Sequence, residues 1–134
     1  MSTPTSIRFL SEDYLAEMES LSAANQPPIP HVNVRVQFHV TGTPEDVVDY
    51  HLLIEKGVIV KAGRGRIDDS DLAITTTYRD LADFQAGDLH AATAFVSGQF
   101  AVTGDKAKLL DLMIVFQSGH YHQFVAALWS RTTW

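Results

Sequence analysis

Val32-Asn33-Val34-Arg35-Val36-Gln37-Phe38-His39-Val40-Thr41 is the stretch that decides the fold. Apolar and polar residues alternate through it. A period of two places Val32, Val34, Val36, Phe38 and Val40 on one sheet face and Asn33, Arg35, Gln37, His39 and Thr41 on the other. A sheet with one greasy face must bury it, so the remaining chain has to supply a covering layer.

Reading outward from that strand, Gly42-Thr43-Pro44-Glu45-Asp46 is a turn, and a second strand runs from about Val47 to Glu55. Lys56-Gly57 then suits a tight hairpin, with glycine at a position that takes positive φ. The third strand starts at Val58 and reaches Arg66 or Ile67. Asp68-Asp69-Ser70-Asp71 turns the chain into a fourth strand, Leu72–Thr77. This half reads as an antiparallel meander that needs no parallel crossover.

Upstream, Ile7 to Ala24 reads as a helix with Ser11 as N-cap and Glu12 and Asp13 near its positive end. Leu15, Met18 and Leu21 form its apolar stripe, and Gln26–Pro30 ends it. Downstream, the period changes to a helical one. Thr77 and Asp80 open a helix through Leu81 and Phe84 to Gly87, and Asp88 is read as the cap of a second short helix through Phe95 to Gly98. Gln99–Thr103 forms one more strand. Asp105 caps a helix running to about Gln117, and a last helix after Ser118-Gly119 carries Tyr121, Phe124, Val125, Leu128 and Trp129, with Trp134 beyond it. Strands followed by helices predict an α+β domain over residues 1–134, with a mostly antiparallel five-stranded sheet covered on one face.

Bulk properties narrow the function classes. The chain has 134 residues, 46% hydrophobic and 19% charged, with a formal net charge of −6. An acidic chain with scattered basic residues lacks the surface that nucleic acid or an anionic bilayer selects. There is no cysteine, and no apolar run approaches a membrane span, so stable membrane insertion is not expected. The start Met1-Ser2-Thr3-Pro4-Thr5-Ser6 has no basic or apolar leader region, and the ending Thr132-Thr133-Trp134 is no peroxisomal address. A cytoplasmic location is the expectation.

The helix after Asp105 is unusually apolar: between Leu109 and Phe116 only Asp111 is charged. A helix apolar all round is buried on more than one side, either in a core or along a cavity. The aromatic residues of the last helix fit core, pocket wall or dimer contact equally well.

These residues resemble the sterol carrier protein type 2 domain, in its bacterial-type stand-alone form. The resemblance runs from about Val34 to Phe116. It rests on Leu72-Ala73-Ile74-Thr75-Thr76-Thr77, Asp80-Leu81, Phe84-Gln85-Ala86-Gly87-Asp88-Leu89, then Ala92, Phe95 and Gly98, and on Phe100-Ala101-Val102-Thr103-Gly104-Asp105 with Lys108-Leu109-Leu110. The hairpin Tyr50–Gly57 also resembles the family's glycine-ended strand pair.

The resemblance implies a hydrophobic tunnel between sheet and helices, holding a sterol, fatty acid, fatty acyl-CoA or phospholipid without catalysis. On that basis the cavity residues are Val36, Phe38, Phe84, Phe95, Phe100, Leu109, Leu112, Met113, Phe116, Phe124, Leu128 and Trp129. Arg64 and Arg66 would meet a headgroup, since alternation puts them on one side of their strand. The expected partner is an apolar small molecule, with no cofactor and no metal, and the chain is a monomer or homodimer. The alternative is a non-catalytic interaction module whose apolar C-terminal helices form a protein interface.

Sharper chemistry fits less well. His120 and His122 are spaced by two, which suits neither face of a helix as a metal site. His39 and His51 lie on the polar sheet face. Asp68, Asp69 and Asp71 lack the glycine and distal glutamate of a calcium loop. Gly63-Arg64-Gly65-Arg66 lacks the third glycine and helix start of a dinucleotide loop, and Ser97-Gly98 follows a helix, so it is no nucleophile elbow. A small enzyme built on His39, His51 or Asp68 is the remaining reading.

Overall fold

The alternation at Val32–Thr41 becomes the central strand of the sheet. In a computed structural model, residues 6–133 are described. Trp134 and most of the N-terminal stretch read above lie outside them.

The main sheet has five strands in the order β4-β3-β2-β5-β6. They are β2 (Val34–Thr43), β3 (Asp46–Glu55), β4 (Val58–Arg64), β5 (Leu72–Thr77) and β6 (Ala101–Gly104). The β3–β4 turn is the expected hairpin: Lys56 and Gly57 both take positive φ, 52° and 76°. A short parallel pair, β1 (Ile7–Arg8) with β7 (Thr132–Thr133), joins the two ends of the described chain.

The meander expectation is corrected at β5. This strand does not add to β4 but pairs in parallel with β2, Val36 opposite Leu72 and Phe38 opposite Ile74. The sheet is therefore mixed. The chain gets from one edge to the far side of β2 along a strap, residues 65–71, laid across the polar face. That face supplies what the strap's backbone needs. The Ile67 N–H donates to Gln37 Oε1 at 2.8 Å, and His51 Nδ1 stands 3.1 Å from the Gly65 carbonyl. At the far end Asp71 N–H donates to the Arg35 carbonyl at 2.8 Å, and Asp69 pairs with the Arg35 guanidinium. The acidic turn thus pins the strap to β2.

The other face carries Val34, Val36, Phe38 and Val40 of β2, with Tyr50, Leu52, Leu72 and Ile74 beside them, all buried. Among the described residues five helices make up the covering layer: α1 (Glu12–Asn25), α2 (Tyr78–Ala86), α3 (Ala91–Ser97), α4 (Lys106–Phe116) and α5 (Gly119–Trp129). Ser11, Thr77, Asp105 and Ser118 each accept a backbone N–H at a helix start, as N-caps do. α3 differs from expectation, because His90 rather than Asp88 is its N-cap and makes no side-chain bond.

α1 packs on the edge strand β4 and satisfies its outward amides: Ile59 N–H donates to Ser22 Oγ at 2.9 Å and Ala62 N–H to Glu19 Oε1 at 2.9 Å. That closes an edge otherwise open to pairing. α5 packs on α1 and α2.

The apolar helix α4 is not enclosed on all sides. Leu112, Val115 and Phe116 are buried, but Leu110 is 69% and Ile114 48% exposed. Its apolar run therefore serves the core with one face and leaves another at the surface.

Candidate functional site

The layer between sheet and helices centres on Phe84 of α2. Its ring meets Phe100 and Phe116 at centroid distances of 5.3 and 5.1 Å, and Phe95 stands edge-on to Phe100 at 5.5 Å. Phe116 leads on to Tyr121 at 5.2 Å, and Tyr121 to Phe124 at 5.3 Å. On the sheet side Phe38 stacks on Tyr50, with centroids 4.6 Å apart and planes within 3°. Such ring chains contribute about 0.5–1.5 kcal/mol per pair beyond area burial.

The space enclosed there is narrow. Phe38, Tyr50 and Leu52 of the sheet, Met18 of α1, Leu81, Phe84 and Gln85 of α2, Phe116 of α4 and Tyr121 of α5 surround about 210 Å³ of atom-free space, with no room for a water-sized sphere. Side chains fill the layer to which the resemblance assigns a tunnel.

One polar node interrupts this surface. Gln85, 4% exposed, donates from Nε2 to Tyr14 Oη at 2.9 Å and accepts from Tyr121 Oη at 3.0 Å. Burial pushes the hydroxyls of Tyr14, Tyr50 and Tyr121 up from their ordinary value; Tyr121 adds to this at Tyr14 and Tyr50, and Tyr14 at Tyr50. All three stay protonated at neutral pH. Among the described residues, Thr76 Oγ1 is the buried side-chain polar atom without a hydrogen-bond partner.

Of the residues expected to line a cavity, Phe38, Phe84 and Phe116 surround the interstice. Val36, Phe100, Leu112, Phe124 and Leu128 are buried in the same core, and Phe95, Leu109, Met113 and Trp129 are partly buried against it. Trp129 packs edge-on against Phe9 at 5.1 Å.

Sequence reasoning missed Tyr14, Met18, Tyr50 and Gln85. The available signal was Gln85 itself, a polar residue at a stripe position with Leu81 and Phe84, where an apolar one belongs.

Arg64 and Arg66 go to different sides. Arg64 is the cross-strand partner of Tyr50, on the helix face, and reaches Glu45 at 2.7 Å. Gly65 turns the chain with φ 99°, and Arg66 reaches Asp49 at 3.1 Å on the strap side. Each guanidinium thus has its own carboxylate.

His39 faces Asp49 rather than His51, with Nδ1 2.5 Å from Oδ1, and His51 faces Gln37 across the strands. Asp68 is exposed. His39, Asp49, Arg66 and Ser70 edge a depression of about 360 Å³ on the strap side. Another, of about 410 Å³, lies among Arg8, Asp13, Glu45 and Arg64. Both carry charged side chains at their edges. Among the described residues no three His, Cys, Asp or Glu side chains converge as metal ligands, and no helix is long and apolar enough to cross a membrane.

The alkyl sulfatase C-terminal family matches residues 11–124. No curated protein sequence matches the chain. Several solved structures do match in shape. Palmitated sterol carrier protein 2-like 2 of Aedes aegypti superposes with a TM-score of 0.63 at 18% identity, covering 88% of this chain and 96% of that one. The sterol carrier protein domain 2 of Helicoverpa armigera gives 0.63 at 17% identity, covering 86% of each chain. Aedes aegypti sterol carrier protein 2 in complex with palmitate gives 0.57 at 17% identity, covering 87% of this chain and 97% of that one. The resemblance read from residues 34–116 thus holds for the fold.

Proposed function

The chain belongs to the alkyl sulfatase C-terminal family, and from that premise and its fold we propose that it holds the apolar tail of a long-chain ligand between its sheet and its helices, without chemistry. The observation that carries this reading is the interstice at Phe38, Phe84, Phe116 and Gln85. An apolar wall with one convergent polar group is the common form of a small-molecule site. Fold neighbours described as palmitated or complexed with palmitate support the apolar tail, though not a choice of end group.

Because the layer is filled, a tail enters only as the side chains around the interstice give way. Each methylene buried returns about 0.8 kcal/mol. Association and ordering cost roughly 4–15 kcal/mol, and opening the layer adds to that cost. Affinities in the micromolar range or weaker are the expectation.

The lining supports a role without catalysis. Tyrosines held protonated and a primary amide are poor bases and poor nucleophiles at neutral pH.

Denaturing extraction of the purified protein, followed by mass spectrometry of the released small molecules, tests this reading together with thermal melts in long-chain additives. A stoichiometric long-chain molecule or a saturable rise in melting temperature supports it. A dry interior that no long-chain additive stabilises overturns it.

A second reading rests on a separate observation. Leu110 and Ile114 lie one turn apart on the outer face of α4, and Val96 of the neighbouring α3 is 90% exposed. Such a face suits a protein interface. Leu110→Lys with Ile114→Lys should leave thermal stability within about 0.5 kcal/mol. A concentration-dependent mass in sedimentation that this pair of changes abolishes would favour the interface.

A further inference from the structure

We propose that the Gln85 node receives the polar end of the ligand, and that it selects a neutral hydroxyl headgroup over a carboxylate or a sulfate. This rests on the apolar-tail reading above and adds an orientation, headgroup inward, and a chemical class, the long-chain alcohols.

The node is built for such a group. Gln85 uses one N–H toward Tyr14 and one carbonyl lone pair toward Tyr121. An amide has two N–H donors and two acceptor lone pairs, and a phenol both donates and accepts. Gln85 therefore keeps a second N–H and a second lone pair outside these two bonds. The hydrogen of Tyr14 and the oxygen lone pairs of Tyr121 are likewise outside them. A hydroxyl is the smallest headgroup that donates and accepts at once. Gln85 and Tyr121 face the same interstice as Phe38, Phe84 and Phe116, so a tail lying along those rings brings its end to the amide.

The node is equally unsuited to an anion. None of the residues around the interstice is an arginine, lysine or histidine. The titratable groups that line it are Tyr50 of β3 and Tyr121 of α5, and Tyr14 of α1 bonds the amide, each held in its neutral form by burial; the exposed His122 packs edge-on against Tyr121 with ring centroids 5.9 Å apart. Four carboxylates on the neighbouring helices are engaged elsewhere. Glu17 meets Arg131, Glu19 accepts from Ala62 N–H, and Asp83 faces Arg79, while Asp80 accepts from Gln99. A buried anion without a cation or a set of charge-assisted donors is strongly disfavoured.

The test is displacement of the uncharged probe 1-aminoanthracene from the full chain by dodecanol, dodecanoate and dodecyl sulfate, each below its critical micelle concentration. Dodecanol is expected to bind at least about 100-fold tighter than dodecyl sulfate at pH 8. Dodecanoate should strengthen about tenfold per pH unit as the pH falls toward its own carboxyl pKa, while dodecyl sulfate does not change. Tyr121→Phe and Gln85→Leu should each shrink the alcohol-over-sulfate ratio about three- to tenfold, the loss of one neutral hydrogen bond. If Gln85→Leu does not fold, Tyr121→Phe carries the comparison.

Equal binding of all three compounds, or an alcohol-over-sulfate ratio that neither substitution lowers, overturns the node and leaves the apolar-tail reading standing. Displacement by none of them overturns both.

Discussion

The imidazole of His51 lies directly over Gly63: a Cβ at position 63 would stand 3.0 Å from Nε2 and 3.2 Å from Cε1 of that ring. The two residues are cross-strand partners, so the absent side chain of one is the space occupied by the other. With its ring held there, His51 presents Nδ1 to the Gly65 carbonyl at 3.1 Å, which fixes how the strap leaves β4.

Gly63→Ala should therefore destabilise the protein by about 1–2 kcal/mol, read as a lower urea midpoint with an unchanged slope. His51→Ala removes both the clash and the bond. The double variant should lose less than the sum of the two single losses, since both act on one contact.

Gly104 is a harder constraint. Its φ is +118°, and an added Cβ would overlap the Asp71 carbonyl oxygen while standing 3.0 Å from Leu72 Cα. Gly104→Ala should cost about 3 kcal/mol or more, because backbone has to move. Gly87 also has positive φ, at the C-terminus of α2, but a Cβ there meets nothing within 4 Å. Gly87→Ala should cost only about 1–2 kcal/mol. Thermal melts of the two variants side by side check the contrast.

Asp49 sets part of the acid sensitivity. Burial pushes its carboxyl up, but hydrogen bonds from His39 and Arg66 outweigh that and hold it below its ordinary 3.8. On acidification the unfolded chain then takes up this proton before the folded one. The stability Asp49 contributes is complete above the unfolded value and is lost as pH falls through the folded one. Urea midpoints measured from about pH 5 downward should show a shallower decline for Asp49→Asn than for the parent chain.

Phe84→Ala tests the interior directly. Removing the ring at the centre of the aromatic chain should cost about 3–5 kcal/mol. If a tail occupies this layer, the enlarged space should bind dodecanol more tightly. Saturating dodecanol should then restore about 2.7 kcal/mol at a hundred times its Kd. Calorimetric melts with and without dodecanol measure both quantities. A variant that dodecanol fails to stabilise argues against occupation of this layer.

Much of the architecture was legible in local chemistry. Alternation from Val34 to Val40 identified the buried face, and Ser11, Thr77 and Asp105 declared their helices because cap geometry needs only nearby atoms. What alternation specifies is a face, not a neighbour. Nothing in Leu72–Thr77 distinguishes a strand beside β4 from one beside β2; the strap's bonds to Gln37, His51 and Arg35 decide it.

The node stayed hidden for a related reason, because Tyr14, Gln85 and Tyr121 come from three helices. The exposure of Leu110 and Ile114 ran against the reading of α4 as enclosed: a continuous apolar run carries no mark of which side remains uncovered. Arg64 and Arg66 parted because Gly65 breaks the two-residue period between them.

The parallel seam between β2 and β5 also orders events in time. β2, β3 and β4 are joined by tight turns and can zip together on the microsecond scale of hairpins. β5 has to wait until the strap has crossed the outer face, a long-range closure that slows folding. Pulse-labelled hydrogen exchange should show the amides of Leu72–Thr77 protected after those of Asp46–Glu55. During that delay one side of β2 stands unpaired, a template for the same strand of another molecule. Refolding yield should therefore fall steeply with protein concentration, although the finished fold keeps that side covered.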